Sequence, residues 1–120
     1  MYEIGVNMKQ EFIYVAHFDK KWKDVGLDDE ALRLLEDYIM ENPELAPIMT
    51  GTGGLRKIRW PLPGKGKSGG IRVLYVSFVQ HEKTYMIDLF AKGEKENLSQ
   101  SERNGIKQVI QLLERECLKL

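Results

Sequence analysis

Two apolar, β-rich runs, Ile71 to Gln80 and Thr84 to Ala91, are separated by only His81-Glu82-Lys83. A connection this short cannot hold a crossover, so the runs are expected to pair as an antiparallel hairpin. A hairpin is not stable alone and needs further strands or a helix on its apolar face. The chain offers both. Leu55 to Trp60 and the aromatic run Phe12 to Phe18 read as strands. Asp19 to Gly26 suits a helical turn around Trp22. Asp28 can N-cap a helix to about Glu41, with Ala31, Leu34, Leu35, Tyr38 and Ile39 on one face. Asn42-Pro43 predicts another short helix, ended by Gly51-Thr52-Gly53-Gly54. Ser99-Gln100-Ser101-Glu102 is a capping box for a helix through about Leu118, with Ile106, Val109, Ile110, Leu113 and Cys117 inward. This order implies an α+β domain: a small, mostly antiparallel sheet packed against helices, with a C-terminal helix.

At 120 residues the chain suits one domain spanning 1–120. Residues 1–7 add little periodic apolar pattern and read as a poorly ordered extension, with Met8 as a second start. No apolar stretch approaches the roughly 18 residues of a membrane span, and the N-terminus has no export pattern. Cys117, the single cysteine, has neither a disulfide partner nor His or Cys neighbours at metal-ligand spacing. A cytoplasmic protein with no membrane partner is expected.

The net charge is zero, which alone argues against a nucleic-acid partner, but the charge is segregated. Residues 1–44 carry 5 Lys/Arg against 11 Asp/Glu, and residues 82–120 carry 7 of each. Between Glu44 and Glu82 there is no carboxylate, while Arg56, Lys57, Arg59, Lys65, Lys67 and Arg72 fall there. Such a local positive field attracts phosphate backbones whatever the total charge.

Within that stretch, Gly64-Lys65-Gly66-Lys67-Ser68 ends like a phosphate loop. It has Pro61 where the first glycine of that motif belongs, and Gly69-Gly70 and a strand where its helix belongs. Nucleotide triphosphate binding is therefore not expected. A glycine-rich loop with two ammonium groups can instead close over an irregular polyanion. In Leu55 to Trp60, alternation places Lys57 and Arg59 on one face and Arg56, Ile58 and Trp60 on the other. Arg72 would join Lys57 and Arg59 if the flanking strands pair. An ordinary solvated sheet surface would intersperse both signs, because like charges facing each other across strands weaken pairing. Trp60 is expected in the core first and as a base-stacking side chain second. His17, read as lying on the first strand, and His81, in a turn, are poorly placed as an acid-base pair. There is no Ser or Cys nucleophile with a partner and no carboxylate cluster for a metal, so no cofactor or metal is expected.

Three segments carry a resemblance: Thr50-Gly51-Thr52-Gly53-Gly54-Leu55-Arg56-Lys57-Ile58-Arg59, then Gly64 through Tyr75 with its Gly-Lys-Ser-Gly-Gly-Ile-Arg core, then Ala91 to Leu98. Together they resemble HigB-type toxins of the RelE/ParE superfamily, from about Met8 to the C-terminus. The resemblance implies a RelE-like domain and a type II toxin-antitoxin pair. The implied partner is a helix-turn-helix, HigA-type antitoxin that masks the active site and carries the operator DNA contact. It also implies a ribosome-dependent, metal-independent mRNA endoribonuclease that inhibits translation. Lys57, Arg59, Arg72 and Lys92 look like the catalytic group, with Arg56, Lys65, Lys67 and Lys95 as RNA-binding cations. This chain departs at Gly93, where RelE carries an arginine, and near Leu98 and Ser99, where RelE carries a tyrosine that stacks on the substrate base.

The implied reaction is attack of a ribose 2′-hydroxyl on the adjacent phosphate, leaving a 2′,3′-cyclic phosphate or its 3′-phosphate product. A lysine crowded by other cations gives up its proton more readily, so Lys57 or Lys92 is the expected acceptor. Arg59 and Arg72 would hold the charge that develops on phosphorus. Two other readings stay open. One is a ParE-like, non-nuclease inhibitor of DNA gyrase. The other is a non-catalytic RNA-binding module.

Overall fold

The structure is a computed structural model describing residues 10–62, 70–91, 93–94 and 97–119. In chain order it contains β1 (Glu11–Tyr14), α1 (Phe18–Asp24), α2 (Asp29–Glu41), β2 (Arg56–Trp60), β3 (Ile71–Phe78), a 3-10 turn (Val79–His81), β4 (Lys83–Ala91) and α3 (Gln100–Cys117). The four strands form one sheet in the order β1-β4-β3-β2. The β2-β3 and β3-β4 pairs are antiparallel, and β1 runs parallel to β4. This is the α+β, mostly antiparallel architecture that the pattern implied. The suggested N-terminal extension, 1–7, lies outside the described residues.

The sheet is buried on both faces. Ile71, Val73 and Tyr75 of β3 point to one side and pack with Phe18 and Trp22 of α1 and Leu35 and Ile39 of α2. Leu74 and Val76 point to the other and pack with Ile110 and Cys117 of α3. Period-two alternation thus divides β3 between two apolar layers, which explains its nearly continuous apolar sequence. The capping box on α3 forms as read: Ser99 Oγ accepts from Glu102 N, and Glu102 Oε1 accepts from Ser99 N. Asp28 caps α2 through the Ala31 N–H.

Four readings are corrected. The strand expected over Phe12 to Phe18 stops at Tyr14, because the Phe18 N–H turns back to the Val15 carbonyl and His17 adopts a left-handed φ of 75°. Phe18 instead opens α1, where it stacks on Trp22 at helical spacing, 6.2 Å between rings. No helix follows Pro43. The Glu44 and Ala46 carbonyls, which a helix would use internally, accept from the Arg56 guanidinium at 2.8 and 2.7 Å. The segment runs instead along the start of β2, with Lys57 N–H donating to the Pro47 carbonyl and Met49 N–H to that of Leu55. The β3-β4 connection begins earlier than expected, with the 3-10 turn and a left-handed Glu82. Finally, Val109, expected inward, is exposed, as is Leu34, which the pattern places on one face with the buried Leu35 and Ile39.

Candidate functional site

The hairpin of β2 and β3 brings the predicted cations together through its register. Arg59 stands directly opposite Arg72, and Lys57 opposite Leu74. Alternation then puts Lys57, Arg59 and Arg72 on one face, that of Leu74. Two guanidinium groups facing each other across a ladder cost pairing energy. Among the described residues, no carboxylate forms an ion pair with any of the three.

Arg72 has a further property. It is partly buried, and its Nη1 atom is inaccessible to solvent without a hydrogen-bond partner among the described residues. Leaving a buried charged donor unsatisfied costs at least about 1–3 kcal/mol.

The three cations line a cleft of about 500 Å³ together with Ile58, Tyr38, Leu45, Ala46 and Pro47. Its second wall comes from the end of α2 and the segment after it. That segment is anchored to β2 by the Arg56 contacts above and by Tyr75 Oη, which donates to the Pro43 carbonyl at 3.2 Å. Burial raises the Tyr75 phenol above its usual range, so it stays a donor. The loop connecting this wall to β2 is set by Thr52, whose buried hydroxyl donates to the Met49 carbonyl and accepts from Leu55 N–H. Cationic strand face and apolar wall are therefore held by separate fixed contacts.

Other sequence-predicted residues fall elsewhere. Arg56 sits on the opposite face, its Nη1 engaged by the two carbonyls that fix the wall. Trp60 is on that same face, partly buried and tilted against Tyr38 at 5.8 Å. His17 caps α1 and His81 ends the 3-10 turn; neither lines the cleft. Lys65, Lys67, Lys92 and Lys95 lie outside the described residues. Sequence reasoning missed Tyr38 and Leu45 as cleft residues. Tyr38 shares a helix face with the buried Leu35 and Ile39, yet it is 38% exposed. Among the described residues no group of three or more His, Cys, Asp or Glu gathers to hold a metal ion, and no helix is long and apolar enough to cross a membrane.

Helices on both faces of a four-stranded, mostly antiparallel sheet, with Lys57, Arg59 and Arg72 gathered on its β2-β3 hairpin, define a small α+β domain with a cationic cleft. The family comparison makes this specific: residues 13–118 match the model described as the RelE toxin of the RelE/RelB toxin-antitoxin system. The chain belongs to the RelE toxin family. It is the toxin of such a system, and its partner is an antitoxin protein.

Proposed function

We propose that this toxin is a ribosome-dependent endoribonuclease that cuts messenger RNA in the cleft between β2 and the end of α2. The observation that supports this reading is the gathering of Lys57, Arg59 and Arg72 at one cleft, with no carboxylate ion-paired to any of them among the described residues. A guanidinium held on a strand needs no reorganisation to meet charge developing on a phosphate, and such preorganised donors supply a large share of catalysis.

In this mechanism Lys57 Nζ accepts the 2′-hydroxyl proton. The 2′-oxygen forms a bond to the adjacent phosphorus, and the bond to the 5′-oxygen breaks, giving a 2′,3′-cyclic phosphate. Arg59 and Arg72 hold the two non-bridging oxygens as charge accumulates. Among the described residues no histidine or carboxylate lines the cleft, and the departing 5′-oxygen takes its proton from a protonated cation or from water. Lys92 is proposed as a second catalytic amine, and Lys65, Lys67 and Lys95 as contacts to RNA phosphates. The antitoxin is proposed to be of the helix-turn-helix, HigA type, placing this toxin in the HigB-type branch in the cytoplasm.

The test is controlled expression in cells with 5′ ends of mRNA mapped by primer extension. New ends within reading frames that vanish with Arg72→Ala are expected. Growth arrest with intact messages would overturn the nuclease reading and favour a gyrase-type target.

A further inference from the structure

Lys57, Arg59 and Arg72 have a counterpart of opposite sign close by. On α2, Glu30, Leu34, Asp37 and Glu41 recur at helical spacing and share one exposed stripe. Among the described residues none of these three carboxylates is in an ion pair. Arg33, the one cation of this helix, lies beyond Asp37 on the side away from Tyr38. Tyr38 stands one turn from Leu34 and also lines the cleft, so it joins the stripe to the cationic face. Between the acids and the cations lie Leu34, Tyr38 and Leu45, exposed at 59%, 38% and 65%. With Ile48 they make up four of the eight large apolar side chains that stand exposed among the described residues, and apolar area collected on one surface marks a contact.

The surface thus reads across as carboxylates, apolar centre, cations. A two-fold rotation about the centre lays the carboxylates of one copy on the cations of another, and does so twice. That is the self-complementarity an isologous dimer requires. We propose that the antitoxin-free protein pairs with a second copy of itself through this surface, each copy covering the other's cleft with its acidic stripe. Asp37 and Glu41 then accept from Arg59 and Arg72, whose planar donors suit carboxylates. Leu34 and Leu45 leave water in the same step, meeting their counterparts near the axis. The zero net charge removes the long-range repulsion that two copies of a charged protein feel. Both clefts are covered in the pair, so the dimer is a closed form of the protein and the monomer the open one.

The test is sedimentation velocity of the antitoxin-free protein over a concentration series at low and high salt. A dimer is expected at low salt, dissociating as salt screens the ion pairs. Two charge-reversed variants follow: Asp37→Lys with Glu41→Lys, and Lys57→Glu with Arg59→Glu. Each alone sets like charges against each other across the axis and should weaken pairing about tenfold or more. Mixed in equal amounts they should pair with each other, because the introduced lysines of one then meet the introduced glutamates of the other. Leu34→Asp, at an exposed position, brings two carboxylates together near the axis and should also dissociate the dimer without touching the cationic strand. Thermal unfolding establishes that each variant is folded. A wild-type protein that stays monomeric throughout the series would overturn the dimer and leave this surface to the antitoxin. A dimer that survives either reversal or Leu34→Asp would place the interface elsewhere, and mixing that fails to restore pairing would overturn the reciprocal arrangement. None of these readouts involves RNA, so the dimer and the nuclease reading stand or fall separately.

Discussion

Arg72 is the side chain in which charge, burial and position coincide. It is fixed on β3 opposite Arg59, and its Nη1 is buried without a partner among the described residues. Lysine at this position would keep the charge but lose the forked donor, so charge alone should not restore activity. Arg72→Lys and Arg72→Ala are both expected to lose roughly 2 to 4 kcal/mol of transition-state stabilisation, the scale of one missing oxyanion donor. The check is single-turnover cleavage of mRNA on ribosomes alongside thermal unfolding. Cleavage by Arg72→Lys at the wild-type rate would show the arginine to be dispensable. The grouping of Lys57, Arg59 and Arg72 was legible in the sequence because strand alternation and a hairpin register follow from a period of two. The role of Arg56 was not. Its two carbonyl partners belong to a segment whose irregular path depends on those same contacts.

At the scale of elements, the hairpin that aligns Arg59 with Arg72 is closed by a tight backbone approach. A Cβ added to Gly70 would lie 2.6 Å from the Trp60 carbonyl oxygen. That oxygen belongs to rigid backbone, so a methyl group there must push β2 and β3 apart at the end that carries the arginine pair. The space that a side chain at Gly70 would fill is taken by the chain itself. Gly70→Ala is therefore predicted to destabilise the fold by about 1–3 kcal/mol, as overpacking does, measured by chemical denaturation. It should also slow mRNA cleavage on ribosomes, because the Arg59–Arg72 pair loses its spacing. A variant as stable as wild type would mean that the strands part without cost. Among the elements, α2, α3 and the three antiparallel strands were readable because each has strong periodicity and its own caps. The β1 boundary and the 42–50 segment were not, since Phe18 satisfies either a strand or a helix pattern and Asn42-Pro43 is as good a turn as a helix start.

Across the whole molecule, α3 covers the sheet face opposite α1 and α2, and its contact contains a buried phenol. Tyr85 Oη lies 3.8 Å from Cys117 Sγ, and burial, reinforced by that contact, pushes the phenol up to about 12. Below pH 10 the phenol is neutral in folded and unfolded chains alike, so it imposes no pH dependence. Between about pH 10 and pH 12 the unfolded chain ionises first, and stability falls with rising pH. Burial also raises Tyr14, reinforced by its hydrogen bond to Glu36, and Tyr75, so both add to the same alkaline loss. Tyr85→Phe is expected to make the fall in urea-unfolding free energy from pH 9.5 to pH 11.5 shallower while leaving neutral stability nearly unchanged, within about 1 kcal/mol for the weak contact to sulfur. An identical alkaline slope would place the titrating phenols elsewhere.

The parallel pairing of β1 with β4 governs how the toxin comes into being. Glu11 meets Lys83 and Tyr14 meets Met86, so the first strand made must wait for the last of the four. The arginine-bearing hairpin is local and can close early, but its sheet has no far edge until β4 is present and no cover on one face until α3 follows. Contacts so distant in sequence form late, and small domains assemble as cooperative wholes. A chain whose synthesis stops before β4 and α3 is therefore expected to lack a stable sheet to hold its arginine pair.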